Sequence, residues 1–236
     1  MREKKLGLVV PSSNTTMERE FWEYRPKELL IYTSRMKLTD VTPQALEDMY
    51  YHSVRASSEV ADAEVDLILY GCTTGSLLKG VEWERNIVEK IERETGIKTI
   101  TTSGAVISAL KKLKVNEVEV YTPYIDSLNE LERKFLEEND IKVIKMEGLR
   151  ILKNTEIGKL DDMVAYEMAL KGKTEGVNGI FISCTNFRTF RVLDRIERER
   201  GVPVTSSNAS SLWLALRELK INPKEKNGVY SIKLFE

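Results

Sequence analysis

The chain holds two cysteines, Cys72 and Cys184, and a single histidine, His52. A thiol ionises near pH ~8.5, and the thiolate can attack an electron-poor carbon or carry a proton. Both cysteines stand in the same local context, Cys72-Thr73-Thr74 and Cys184-Thr185-Asn186. A lone buried cysteine usually acts as a small hydrophobe. Two matching ones in a two-cysteine chain point instead to chemistry on both faces of one carbon centre. The same counts exclude much else. A Cys/His zinc site lacks ligands, a Ser-His-Asp triad would have to use His52, and no disulfide framework can form. His52 sits among Tyr50, Tyr51 and Arg55, where a solvated or packing role is expected. Neither G-x-G-x-x-G nor G-x-x-x-x-G-K-[ST] occurs, so no nucleotide cofactor is expected.

Four loops around these thiols suit an anion. Thr73-Thr74-Gly75-Ser76 and Thr185-Asn186 follow the cysteines, Pro11-Ser-Ser-Asn14-Thr-Thr16 follows the first strand, and Thr122-Pro123-Tyr124 follows its counterpart. Helix N-termini here would lower a thiol pKa and offer N–H groups to a carboxylate. Simpler roles compete. Asn14 and Asn154 fit as helix caps, Tyr124 as a core aromatic, Ser206-Ser207-Asn208 as a strand end and cap, and the charge run Asp194–Arg200 as a solvated helix face.

The elements that position these residues alternate. Short apolar runs read as strands at 6–10, 29–34, 65–70, 98–101, 118–121, 141–145, 179–183 and 203–205, with the continuous hydrophobicity of parallel strands covered on both faces. Helices are expected from Thr42-Pro43 to about Ala63, and over 125–139, 156–171 and 188–200. The fold class is therefore α/β with right-handed crossovers. An internal repeat sharpens this. Val65–Thr73 aligns with Val177–Thr185, Leu6–Pro11 with Val118–Pro123, Ile91–Gly96 with Ile196–Gly201, and Ser108–Val115 with Leu214–Ile221. The offset is 112 positions at the cysteines and prolines and 105 at the glycines. A longer loop is expected in the first copy, near Lys79–Trp83. Two similar halves, each with a parallel four-stranded sheet, should be related by a pseudo-two-fold axis. Residues 1–112, completed by a C-terminal helical segment 208–236, form the first half and 113–207 the second. Ligands in such sheets bind beyond the strands' carboxyl ends, which places the site between the halves.

Composition bounds the partners. Of 236 residues, 42% are hydrophobic, enough for a sizeable core. With 36 basic and 37 acidic residues the net charge is −1, so no footprint for nucleic acid or anionic membrane is present. The longest uncharged stretch, Gly201–Leu216, is rich in Ser, Thr and Asn, and no membrane span is expected. The apolar run at 6–10 is too short for a signal peptide. A cytoplasmic protein with reduced thiols is expected.

Five segments, Val9–Glu18, Tyr70–Ser76, Tyr121–Tyr124, Asn154–Gly158 and Ser183–Asn186, resemble the aspartate/glutamate racemase superfamily, and within it the branch of maleate cis-trans isomerases and arylmalonate decarboxylases. The paired Cys-Thr motifs belong to the whole superfamily. Pro11-Ser-Ser-Asn-Thr15 and Thr122-Pro-Tyr124 are more particular to the isomerases, and the decarboxylases keep only the second cysteine. The resemblance implies cofactor-independent isomerisation of maleate to fumarate in a homodimer acting on a small dicarboxylate. Cys72 would add to the double bond, and Cys184 would handle the proton. Asn14, Tyr124 and Asn154, with Thr73, Thr74, Thr185 and Asn186, would bind the two carboxylates. A two-thiol racemase of a small acidic amino acid or related carbon acid is the alternative. A ligand-binding protein on the same scaffold is the third reading.

Overall fold

The structure is a computed structural model that describes residues 3–172, 175–222 and 228–236. Positions 223–227 of the expected C-terminal segment lie outside the described residues. In chain order the elements are β1 (Lys4–Pro11), α1 (Met17–Tyr24), β2 (Leu29–Met36), α2 (Pro43–Tyr50), α3 (Ser53–Ala61), β3 (Leu67–Tyr70), α4 (Thr73–Leu77), α5 (Val81–Thr95), β4 (Thr99–Thr101) and α6 (Thr102–Lys112). There follow β5 (Glu117–Thr122), α7 (Asp126–Glu138), β6 (Lys142–Gly148), α8 (Asn154–Gly158), α9 (Asp162–Lys171), β7 (Gly179–Ile182), α10 (Leu193–Arg200), β8 (Val204–Ser206) and α11 (Ser207–Glu218), then two short 3₁₀ turns.

The strands form two all-parallel sheets, ordered β2-β1-β3-β4 and β6-β5-β7-β8. Their registers repeat the sequence offsets. Leu6 pairs with Leu67 where Val118 pairs with Gly179, a shift of 112 at both partners. Ile68 pairs with Thr99 where Ile180 pairs with Val204, so the shift has become 105 at the edge strand. The fold is two like α/β halves, each with a four-stranded parallel sheet. Strands β3 and β7 are buried along their whole length, as parallel strands covered on both faces must be.

The helices cross between halves. Val106, Ile107 and Leu110 of α6 cluster with Val118, Val120 and Phe181 of the second sheet, while α11 packs on α6 and against α1 and β3.

Several expectations need correction. The helix from Thr42 breaks at Tyr51-His52, where the Tyr51 and His52 N–H groups bond three residues back and Ser53 Oγ donates to the Tyr50 carbonyl at 2.6 Å. This tightens the chain to i→i−3, and His52 is exposed. The helix expected over 156–171 is split, because Asp161 starts a new one by accepting the Met163 N–H. That expected from Arg188 begins only at Leu193. The extra length of the first copy is not a loop. Eight residues separate each cysteine from the next long helix in both halves, and α5 has 15 residues against 8 in α10. The difference of seven equals the drop in offset. Nor is Asp194–Arg200 wholly solvated. Arg200 pairs at 2.8 Å with Glu119, both side chains buried, and Glu197 accepts the Val204 N–H at 2.9 Å.

Candidate active site

Both cysteines stand at the carboxyl ends of central strands. Cys72 follows β3 and caps α4, its Sγ accepting the Gly75 N–H at 3.4 Å. Cys184 follows β7 and adopts φ +97°, a left-handed backbone that costs a residue with a Cβ of order 1–3 kcal/mol. Its N–H donates to Ser207 Oγ at 3.0 Å, and its Sγ accepts the Asn186 N–H at 3.3 Å. The Ser207 hydroxyl also accepts from Thr73 Oγ1 at 2.8 Å, so one serine of α11 ties both cysteine turns together. No helix starts at Thr185, and the following eight residues are turns and irregular chain.

The remaining expected residues converge between the halves. Asn14 Nδ2 donates to Thr185 Oγ1 at 3.0 Å, and Thr185 Oγ1 donates to the Gly71 carbonyl at 3.2 Å. Asn186 Nδ2 donates to the Asn154 carbonyl at 2.6 Å, while Asn154 Nδ2 donates to Ser13 Oγ at 2.8 Å. Asn14 is also a cap, because its Oδ1 accepts the N–H groups of Thr16 and Met17, each at 3.0 Å. Asn154 is not one; it lies inside α8, after Lys153. Tyr124 is fully buried and hydrogen-bonds Cys184, and Thr74 hydrogen-bonds Cys72. All nine side chains are buried.

The electrostatics depart from expectation. Burial pushes the Cys72 thiol up to about 11, against the opposing hydrogen bonds of Gly75 and Thr74. It pushes Cys184 up to about 12, with Cys72 and Glu132 adding to the rise and Tyr124 and Asn186 countering it. Desolvation of a charged sulfur thus outweighs the N–H donors expected to lower it. Cys72 is among the groups that raise Cys184, and the shared Ser207 hydroxyl holds the two cysteine turns side by side.

Reading the sequence missed four residues here. Tyr70 OH is buried without a hydrogen-bond partner among the described residues, and its electrostatic neighbour is Cys72. Ser183, Glu20 and Glu132 are buried polar groups. The signal for the glutamates was available: each interrupts the apolar stripe of its helix, Glu20 beside Met17 and Phe21, Glu132 between Leu128 and Phe135. Among the described residues no cluster of His, Cys, Asp and Glu could hold a metal, and no helix is long and apolar enough to cross a membrane.

The arylmalonate decarboxylase family model matches residues 6–230. The chain belongs to the arylmalonate decarboxylase family. Its relatives include both lyases and isomerases. Arylmalonate decarboxylase of Bordetella bronchiseptica is 27% identical over 218 residues, covering 90% of this chain and 89% of that protein. A mutant of the maleate isomerase Iso from Pseudomonas putida S16, solved with maleate, is 26% identical, with a TM-score of 0.92 over 99% of this chain and 98% of that one. A cysteine-to-serine mutant of Nocardia farcinica maleate cis-trans isomerase, bearing a covalently bound succinylcysteine intermediate, is 25% identical, with a TM-score of 0.88 over 93% and 94% of the two chains. This kinship makes the chain an enzyme and supports an isomerase.

Proposed function

We propose that the chain isomerises maleate to fumarate through a covalent adduct on Cys72. The observation that carries this is the pair of buried thiols in one site with unequal surroundings: Cys72 meets backbone N–H and Thr74, whereas Cys184 meets Tyr124 and, beyond it, a carboxyl. Two thiols with distinct partners suit a nucleophile and a proton carrier better than the interchangeable pair of a racemase. The succinylcysteine in the Nocardia relative is the same type of adduct.

In this reading Cys72, having lost its proton to solvent, adds as thiolate to one alkene carbon, forming the S–C bond, and the later elimination regenerates the thiolate. The π electrons move to the neighbouring carbon and into its carboxylate, and that carbon takes the proton of Cys184. The former double bond is now single and rotates. Cys184 takes the proton back, the π bond re-forms, and the S–C bond breaks to release fumarate. Asn14, Asn154, Asn186, Thr73, Thr74, Thr185 and Tyr124 are the donors for the two carboxylates. Such preorganised neutral donors hold developing charge without depleting thiolate nucleophilicity.

The test is incubation with maleate, followed by proton NMR. Fumarate should form, should vanish in Cys72→Ser, and Cys184→Ser should accumulate a protein adduct one maleic acid heavier by intact mass. No fumarate from the unaltered enzyme, with solvent deuterium entering the α-position of aspartate instead, would establish the racemase.

A further inference from the structure

Glu20 and Glu132 are repeat mates, 112 positions apart on α1 and α7, and both are buried. Their partners differ. Glu20 accepts the N–H groups of Thr189 and Phe190 at 2.8 and 3.0 Å and the Asn208 amide at 2.6 Å. It clamps the turn after Cys184 and is saturated with donors. Glu132 receives a single hydrogen bond, from Ser183 Oγ at 2.6 Å to Oε1, and its Oε2 has no partner among the described residues. Ser183 Oγ also lies 3.4 Å from Tyr124 OH, which bonds Cys184. The repeat mates of Ser183 and Tyr124 are Gly71 and Ser12, and neither can build this chain at Cys72.

We propose that Glu132 is the proton store of Cys184, connected to it through the hydroxyls of Ser183 and Tyr124. The assignment rests on the isomerase reading for its place in turnover. When Glu132 is protonated the 2.6 Å contact runs the other way, its carboxyl O–H donating to Ser183 Oγ and leaving the Ser183 hydrogen for Tyr124. When Cys184 has given its proton to the substrate carbon, Tyr124 passes its hydroxyl proton to Sγ, Ser183 re-protonates Tyr124, and the Glu132 carboxyl re-protonates Ser183. One proton has moved from Oε1 to Sγ, and the negative charge now sits on the carboxylate. The reverse transfer accompanies elimination. Burial raises Glu132 to about 8 and Cys184 further, to about 12, so the charge is more stable on the carboxylate than on the sulfur. The groups around Glu132 do not compete for the proton. Thr73, Leu77, Ser103, Val106 and Phe181 surround it, and none ionises; Tyr124 and Cys184 are the titratable groups on its path. Ser183 and Tyr124 stand between Glu132 and the Cys184 sulfur, so Glu132 is a positioning residue that supplies the proton through the two hydroxyls.

Glu132→Gln keeps the shape and removes the proton store, and Ser183→Ala cuts the chain at its middle. Each should lower kcat at least about tenfold, the scale of general acid–base assistance, with KM changed less than about twofold. Each should also erase an ionisation near pH 8 from the kcat profile. A wild-type kcat or an unchanged profile in either variant would overturn the proposal. A second readout needs no turnover and separates it from the isomerase reading. With Cys72→Ser leaving Cys184 as the sole thiol, iodoacetamide alkylation at fixed alkaline pH should be severalfold faster once Glu132→Gln removes the nearby negative charge. An equal rate would sink the coupling even if maleate is isomerised, and a faster one would sustain it even if maleate is not the substrate.

Discussion

Asn14 and Thr185 lie 171 positions apart and meet between the halves, the Asn14 amide donating to the Thr185 hydroxyl at 3.0 Å. The same side chain caps the start of α1 through its Oδ1. One residue therefore serves two separable purposes, local structure through its acceptor and the contact with Thr185 through its donor.

Asn14→Asp separates them. The carboxylate still accepts the Thr16 and Met17 N–H groups, so thermal stability should stay within about 1 kcal/mol of wild type. It loses the donor and sets a negative charge against a dianionic substrate. kcat/KM for maleate should fall by about 10²-fold or more, the scale of one lost oxyanion donor. Asn14→Ala should lose both activity and about 1 kcal/mol of stability. Near-normal turnover in the aspartate variant would remove Asn14 from the binding site.

Burial raises both thiols, Cys184 further than Cys72. Alkylation of the free enzyme should therefore keep accelerating from about pH 7 to beyond about 9, because only the thiolate reacts. Peptide mapping should find Cys72 modified first, and maleate should slow the reaction. A rate that levels off below about pH 8 would show that the protein stabilises a resting thiolate.

Gly75 is needed for its missing side chain. A Cβ there would fall 2.6 Å from Met49 Cε, 3.0 Å from Cys72 Sγ and 3.1 Å from Tyr70 OH. The methionine end can move aside, but the sulfur and the phenol are held between β3 and α4. Gly75→Ala should cost about 1–3 kcal/mol of stability through overpacking. Displacing Sγ by a few tenths of an ångström should lower kcat/KM about 10–100-fold. Circular dichroism, urea unfolding and initial rates decide it; a fully active alanine variant would mean that the sulfur has room to spare.

The architecture was legible because burial leaves a one-dimensional trace. The eight strands appear at the expected places because most are short apolar runs, and the Cys-Thr repeat located the pivots of both halves. What was not legible depends on the other half of the molecule. Nothing in the neighbours of Glu132 says that Ser183 will face it. The depth of Cys72 and Cys184, which raises rather than lowers their pKa, comes from both halves packing around them. Helix ends at Tyr50, Gly158 and Val192 were missed for a different reason: an apolar period continues across a short turn whenever both segments face the same core.

The two buried glutamates carry a pH signature. Glu132 is raised from 4.5 to about 8, and Glu20 from 4.5 to about 7, in both cases chiefly by burial. Below 4.5 each is protonated in the folded and unfolded chain alike, and its contribution to stability is complete. As pH rises, the unfolded chain releases the proton first, so stability is lost through the window up to about 7 for Glu20 and about 8 for Glu132. For Glu132 the loss is on the order of a few kcal/mol. Glu84 and Glu197, also raised by burial, and the two thiols near pH 9 lose stability in the same direction, a loss common to variant and wild type that cancels in their comparison. Urea unfolding at about pH 5 and about pH 9 should thus show a smaller loss in Glu132→Gln than in wild type, whereas Glu20→Gln should weaken the clamp on Thr189 and Phe190 at both pH values. Equal losses in Glu132→Gln and wild type would mean that Glu132 is already ionised in the folded protein, and the proton store behind Cys184 would then have to be sought elsewhere.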